Sequence, residues 1–156
     1  MALVRILVDG YSLLHNWPEL APGKARHSAA AREELIHRLT LYHDACGTPI
    51  TIIFDGADVA GTRAATASTP EMEILYSRTG QTADQMIERV VHRLSPCGEV
   101  LVVTDDSAER DTVQASGGQI SSCANFIQAV QTALAELERE IQRYNQKEQS
   151  KFKHAS

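Results

Sequence analysis

The chain has little of what marks membrane, secreted or nucleotide-loop proteins. No apolar run approaches the length of a spanning helix. The opening MALVRILVDG lacks the basic region and small-residue cleavage site of a signal peptide. Three cysteines, Cys46, Cys97 and Cys123, are an odd number with no C-x-x-C pair, which argues against a disulfide framework or a zinc site. The expectation is a reducing, cytoplasmic setting in which each cysteine is a small buried hydrophobe. Neither G-x-x-x-x-G-K-[ST] nor G-x-G-x-x-G occurs, so phosphate-cradling loops of those kinds are not indicated. The six histidines show no metal spacing, and Ser12 has no evident His–Asp relay. Repeats and internal linkers are absent. Positive charge is also short: 15 Lys and Arg face 20 Asp and Glu, a net charge of −5. The molecule as a whole therefore does not attract nucleic acid. A phosphate backbone would have to be met by a local patch or a divalent metal.

What is present reads as one soluble domain. At 156 residues, 43% hydrophobic and 22% charged, the chain is long enough to bury its own core. LVRILV (3–8), ITIIF (50–54) and EVLVVT (99–104) are short β-branched runs, each fitting a strand buried on both faces. EMEILYS (71–77), alternating at Met72, Ile74 and Tyr76, is a fourth strand. Ala31, Leu35, Leu39, Tyr42 and Cys46 recur at helical spacing, and so do Ala83, Met86, Ile87, Val90, Val91 and Leu94. A third helix starts near Ser107 and a long last one covers about Ser122 to Tyr144. The layout predicts an α/β fold with a mainly parallel sheet. The domain is expected over 1–145, with a basic, flexible tail over 146–156. SGGQISS (116–122) reads as a two-glycine turn leading into the last helix. Val130, Leu134, Leu137, Ile141 and Tyr144 form a short heptad stripe on that helix, expected to pack on the domain itself.

The acids fall in a pattern. Asp9 follows the first strand, Asp55 the second, and Asp105 and Asp106 the run 99–104. In a parallel sheet with helical crossovers all these strand ends share one edge. Asp84 lies in TADQ, where Thr82 and Gln85 match a capping box, so it belongs to the first turn of a helix that faces the same edge. Any one of these acids is most simply a helix cap or an Asx-turn. Four or five crowded on one rim repel, and either their pKa values rise or a cation joins them. A hard divalent ion held by carboxylates and water resolves the crowding, and that is equipment for phosphodiester hydrolysis.

ILVDGYSLLHNWPEL, IIFDGA, EILYSRTGQTADQMIERVV and VVTDDSAER, in this order over about residues 4 to 135, resemble the YacP-like NYN domain, a branch of the PIN-like nucleases. The resemblance implies a Rossmann-like PIN/NYN three-layer fold, Mg²⁺ or Mn²⁺ as cofactor, and endonucleolytic cleavage of RNA, with mRNA on the ribosome as substrate and partner. It marks Asp9, Asp84 and Asp106 as catalytic and metal-binding, with Asp55 as a further ligand; Asp105, where the family has serine, is an extra acid expected to join them. Ser12, His15, Asn16 and Thr104 beside those acids, with Arg63, Arg78 and Arg110, are the expected substrate contacts, and Arg26 is a further cation near the rim. Ser12 stands where the family motif D-G-Y-N has asparagine; it is shorter and lacks the amide donor. That departure leaves a rival from another class, a catalytically weak PIN-like module binding RNA, ribosome or a protein partner. A dehalogenase-type phosphatase is set aside, because position 11 is Tyr where the second acid of that motif belongs.

Overall fold

The computed structural model describes residues 3–56, 68–77 and 82–155. Five strands, β1 (Leu3–Asp9), β2 (Ile50–Phe54), β3 (Met72–Tyr76), β4 (Glu99–Val103) and β5 (Gln119–Ser121), form a sheet in the order β3-β2-β1-β4-β5. Every pairing in it is parallel. The helices are α1 (Gly10–His15), α2 (Ala29–Cys46), α3 (Ala83–Leu94), α4 (Ser107–Ala115) and α5 (Cys123–Ala155).

Helices cover both faces, which is why the strands are apolar runs rather than alternating ones. Successive residues of β1 serve opposite cores. Ile6 and Val8 join Ile52, Phe54, Leu35, Leu39, Phe126 and Val130 on the α2/α5 side. Leu7 joins Ile53, Ile87, Val91 and Val113 on the α3/α4 side. The result is the three-layer α/β architecture that the sequence implies.

The topology fixes where a site can form. From β1 the chain steps outward to β2 and β3, then returns past β1 to β4 and β5. The β1–β2 crossover lies on one face and the β4–β5 crossover on the other. The carboxyl ends of β1 and β4 thus flank the point where strand order reverses, the place such sheets leave open for ligands.

Three local expectations change. SGGQISS is not only a turn: Gln119–Ser121 pairs with β4 from Leu101 to Val103 as a short edge strand. GYSLLH, directly after the first strand, forms the six-residue α1, a stretch to which the sequence pattern assigns no element. The last helix continues past Tyr144 to Ala155, so residues 146–155 are helical. Val130 is buried, whereas Ile141 and Tyr144, 52% and 64% exposed, carry the heptad stripe beyond the body of the domain. Among the described residues no helix is long and apolar enough to cross a membrane.

Candidate metal centre

Asp9 closes β1 and caps α1, its Oδ1 accepting the Ser12 amide at 3.4 Å. The turn between strand and helix is tight because Gly10 has no side chain. A Cβ there would lie 2.5 Å from Phe54 Cδ1 and 3.2 Å from Ile52 Cγ2. Glycine at this point lets the carboxylate stand at the end of the strand while the core closes behind it.

Asp84 comes from the opposite direction. Thr82 and Gln85 form the expected capping box, with Thr82 N donating to Gln85 Oε1 at 3.0 Å and Gln85 N to Thr82 Oγ1 at 3.2 Å. This starts α3 at Ala83 and puts Asp84 in its first turn, exposed at the carboxyl edge.

The third member is Glu109, in the first turn of α4. One carboxylate oxygen from each of Asp9, Asp84 and Glu109 lies within 4.8 Å of the other two. Glu109 is 2% exposed, and as a carboxylate its Oε1 has no donor to accept from. A buried carboxylate oxygen without a partner is costly. Burial first, then the neighbouring Asp84 and Asp9, pushes the Glu109 carboxyl up to about 10. Asp9 is raised too, by burial and by the like charges of Asp84 and Asp106, against hydrogen bonds from Glu109 and Ser12. Without a cation, Glu109 therefore keeps its proton at neutral pH. A divalent ion would take that proton's place and meet the unpartnered oxygen. Two oxygens on one Mg²⁺ at about 2.0–2.1 Å stand at most about 4.2 Å apart, so three oxygens within 4.8 Å of one another would need only a small side-chain adjustment to share an ion.

The remaining expected acids have other partners. Asp106 caps α4, Oδ1 accepting the Glu109 amide at 3.1 Å; it stands near enough to Asp9 to raise its pKa but is not one of the three converging carboxylates. Asp105 Oδ1 accepts the Cys123 amide at 3.0 Å and so holds the start of α5. Asp55 Oδ1 accepts the Ser77 hydroxyl at 2.8 Å, tying the ends of β2 and β3 together. Ser12 Oγ accepts the Asp105 amide at 3.3 Å and lies 3.5 Å from Cys123 Sγ, so the serine at the asparagine position is a strut between β4 and α5. Of the three cysteines expected to be buried, Cys46 and Cys97 are exposed; Cys123 is buried, which pushes its thiol up to about 12 and keeps it protonated. Thr104 is fully buried, its Oγ1 accepting the Asp106 amide at 3.1 Å, and it shapes the turn rather than facing outward. Asn16 Nδ2 donates to Ser12 O at 2.8 Å. His15 pairs with Arg26, and Arg110 is exposed one residue after Glu109. Arg63 and Arg78 lie outside the described residues.

The family profile of the YacP-like NYN domain matches residues 6–156. This chain belongs to the YacP-like NYN domain family. The uncharacterised protein YacP of Bacillus subtilis (strain 168) is 27% identical over 139 residues, which is 88% of this chain and 81% of that protein. The crystal structure of Rae1 (YacP) from Bacillus subtilis, in its W164L mutant, matches with a TM-score of 0.77 at 26% identity, over 92% of this chain and 84% of that one. A second Rae1 (YacP) structure gives 0.80 at 24% identity, over 96% and 85%, and bears on the fold alone. An NYN domain is a nuclease-type domain of the PIN-like superfamily, whose members usually use divalent metals.

Within this NYN domain the acid that sequence reasoning passed over is Glu109. Its signal was present in D-S-A-E, where the acid at the third helical position ordinarily folds back on the cap amide. Here it turns inward to the other carboxylates instead.

Proposed function

We propose that this chain is a divalent-metal-dependent endoribonuclease acting on mRNA, with Asp9, Asp84 and Glu109 holding Mg²⁺ or Mn²⁺. The observation that carries the reading is the buried Glu109 oxygen, unpartnered and within 4.8 Å of two further acids at the strand-order reversal. An ion there supplies Lewis acidity toward a phosphate oxygen and lowers the pKa of a water. The protein supplies the rest. Asp9 is fixed by β1 and its cap bond, so its free oxygen has little orientational freedom. Asp84, exposed, is the member that meets the substrate side. Asp106 fixes the turn that carries Glu109, and Arg110 beside it offsets the charge of an approaching phosphate. Hydrolysis by this route leaves a 5′-phosphate on the product. The net charge of −5 favours a setting in which a partner raises the local RNA concentration, and a ribosome in the cytoplasm is such a partner.

One observation favours the quiet binding module. Ser12 is engaged by Asp105 and Cys123, so the position where the family motif has asparagine offers no amide to substrate. The deciding experiment measures cleavage of a labelled single-stranded RNA, with and without ribosomes, in Mg²⁺, Mn²⁺ and EDTA. Wild type is compared with Asp84→Asn and Glu109→Gln. Metal-dependent cleavage lost in both variants supports the nuclease. Calorimetric metal binding without cleavage in either setting would turn the reading to the binding module.

A further inference from the structure

A hollow of about 140 Å³ lies beside α1, with Leu14, Trp17, Pro18, Lys24 and Arg26 in its lining. Leu14 and Trp17 are 3% and 2% exposed, and Arg38 stacks over the Trp17 ring at 5.6 Å, so the wall is fixed from behind. The rim is cationic and solvent-facing. Lys24 and Arg26 are exposed and have no carboxylate partner among the described residues.

The Arg26–His15 contact adds a third donor. Arg26 Nη1 meets His15 Nδ1, and a guanidinium can only donate. Nδ1 is therefore the acceptor, and the imidazole proton sits on Nε2. His15 is exposed, and that N–H is available to an outside acceptor. An acidic protein thus carries a small basic rim around an apolar wall, next to its cluster of carboxylates.

Distance relates the two. Asp9 caps α1 and His15 ends it, and six helical residues span about 9 Å. The hollow is smaller than the ~300–1,000 Å³ of pockets that enclose a free small molecule. It suits one residue of a longer strand lying across it.

We propose that this hollow is a substrate subsite. It takes a nucleotide outside the scissile dinucleotide, with the phosphate on Lys24, Arg26 and His15 Nε2–H and the base or ribose against Leu14, Trp17 and Pro18. The subsite rests on the ribonuclease reading above and adds to it a strand position outside the carboxylates. It gives the enzyme a grip on RNA that does not depend on the metal.

The test uses the full chain with Lys24→Glu and Arg26→Glu together, both surface changes that leave the core intact. On a long single-stranded RNA, KM should rise about 10-fold or more with kcat at saturation unchanged, and the salt dependence of binding should flatten. On a substrate trimmed to the scissile dinucleotide the two proteins should be equal. An unchanged KM on the long RNA overturns the subsite. An equal rise on both substrates also overturns it, in favour of a general effect of charge. If the wild type cleaves nothing, fluorescence anisotropy with the same RNA separates the two ideas. RNA binding weakened by the double change removes the nuclease and keeps the hollow as an RNA site. Binding that is absent or unaffected removes the subsite as well.

Discussion

Asp106 Oδ1 accepts the Glu109 amide at 3.1 Å, and Glu109 then directs its own carboxyl toward Asp9 and Asp84. One acid of the motif is thereby the support of another. The cap sets where α4 begins, and where α4 begins decides that Glu109 points into the strand-order reversal rather than toward solvent.

This relationship separates two roles for Asp106. Asparagine is as good a cap as aspartate, whereas alanine loses the bond at a cost of about 0.5–2 kcal/mol. Asp106→Asn should therefore keep near-native stability and most of the Mn²⁺ affinity, and Asp106→Ala should lower both. Thermal unfolding and calorimetry on the pair decide it. Equal loss of metal binding in the two variants would make Asp106 a direct ligand and remove its supporting role.

Glu109 should give the metal-free protein a distinctive pH profile. Its carboxyl titrates at about 10 when folded and near 4.5 when unfolded, so between those values the folded state holds a proton that unfolding releases. The unfolded state binds fewer protons there, and stability falls as pH rises, by at most about 1.4 kcal/mol per pH unit. The raised Asp9 acts in the same direction. Glu109→Gln removes the larger part of this slope. In EDTA the variant should be more stable than wild type at pH 8 and close to it below pH 4.5. Denaturant midpoints across pH 5 to 9 check this, and parallel slopes for the two proteins would contradict the buried proton.

Much of this was legible from residue order alone. Val, Ile and Leu runs ending in acid, with helical spacing between them, carry the three-layer fold and bring Asp9 and Asp84 to one edge. Residues 119–121 escaped notice because a three-residue edge strand is too short to show a period and its glycine neighbours read as a turn. Glu109 escaped because its meaning is tertiary. The same D-x-x-E pattern describes an ordinary capping box, and only packing of α4 against α3 makes the glutamate a buried neighbour of Asp84. Asp55 and Asp105 are the converse, acids at strand ends whose visible partners are Ser77 and the Cys123 amide.

Metal uptake should be coupled to proton release. Glu109 has to give up its proton before its oxygen can take an ion, and the raised Asp9 adds to this. Mn²⁺ titrations at pH 7 in buffers of different ionisation enthalpy should return about one proton per ion, and apparent affinity should strengthen as pH rises from 6 to 8. In Glu109→Gln the released proton disappears and affinity weakens. Binding with no buffer dependence would place the ion away from Glu109.

The last prediction concerns the glycine beneath the site. In Gly10→Ala the new methyl lies 2.5 Å from Phe54 Cδ1. That ring is fully buried, with its centroid 5.2 Å from that of Tyr11 and 5.5 Å from that of Tyr76, so it cannot swing clear. Overpacking of this kind costs about 1–3 kcal/mol. Because residue 10 follows Asp9 directly, metal affinity should drop along with stability. Phe54→Leu makes room at that spot, so the double variant should recover part of both losses despite carrying two core changes. A double-mutant cycle on denaturant midpoints reads the coupling directly. Strict additivity would mean that Gly10 is needed for its backbone at the strand–helix turn and that the ring plays no part in seating Asp9.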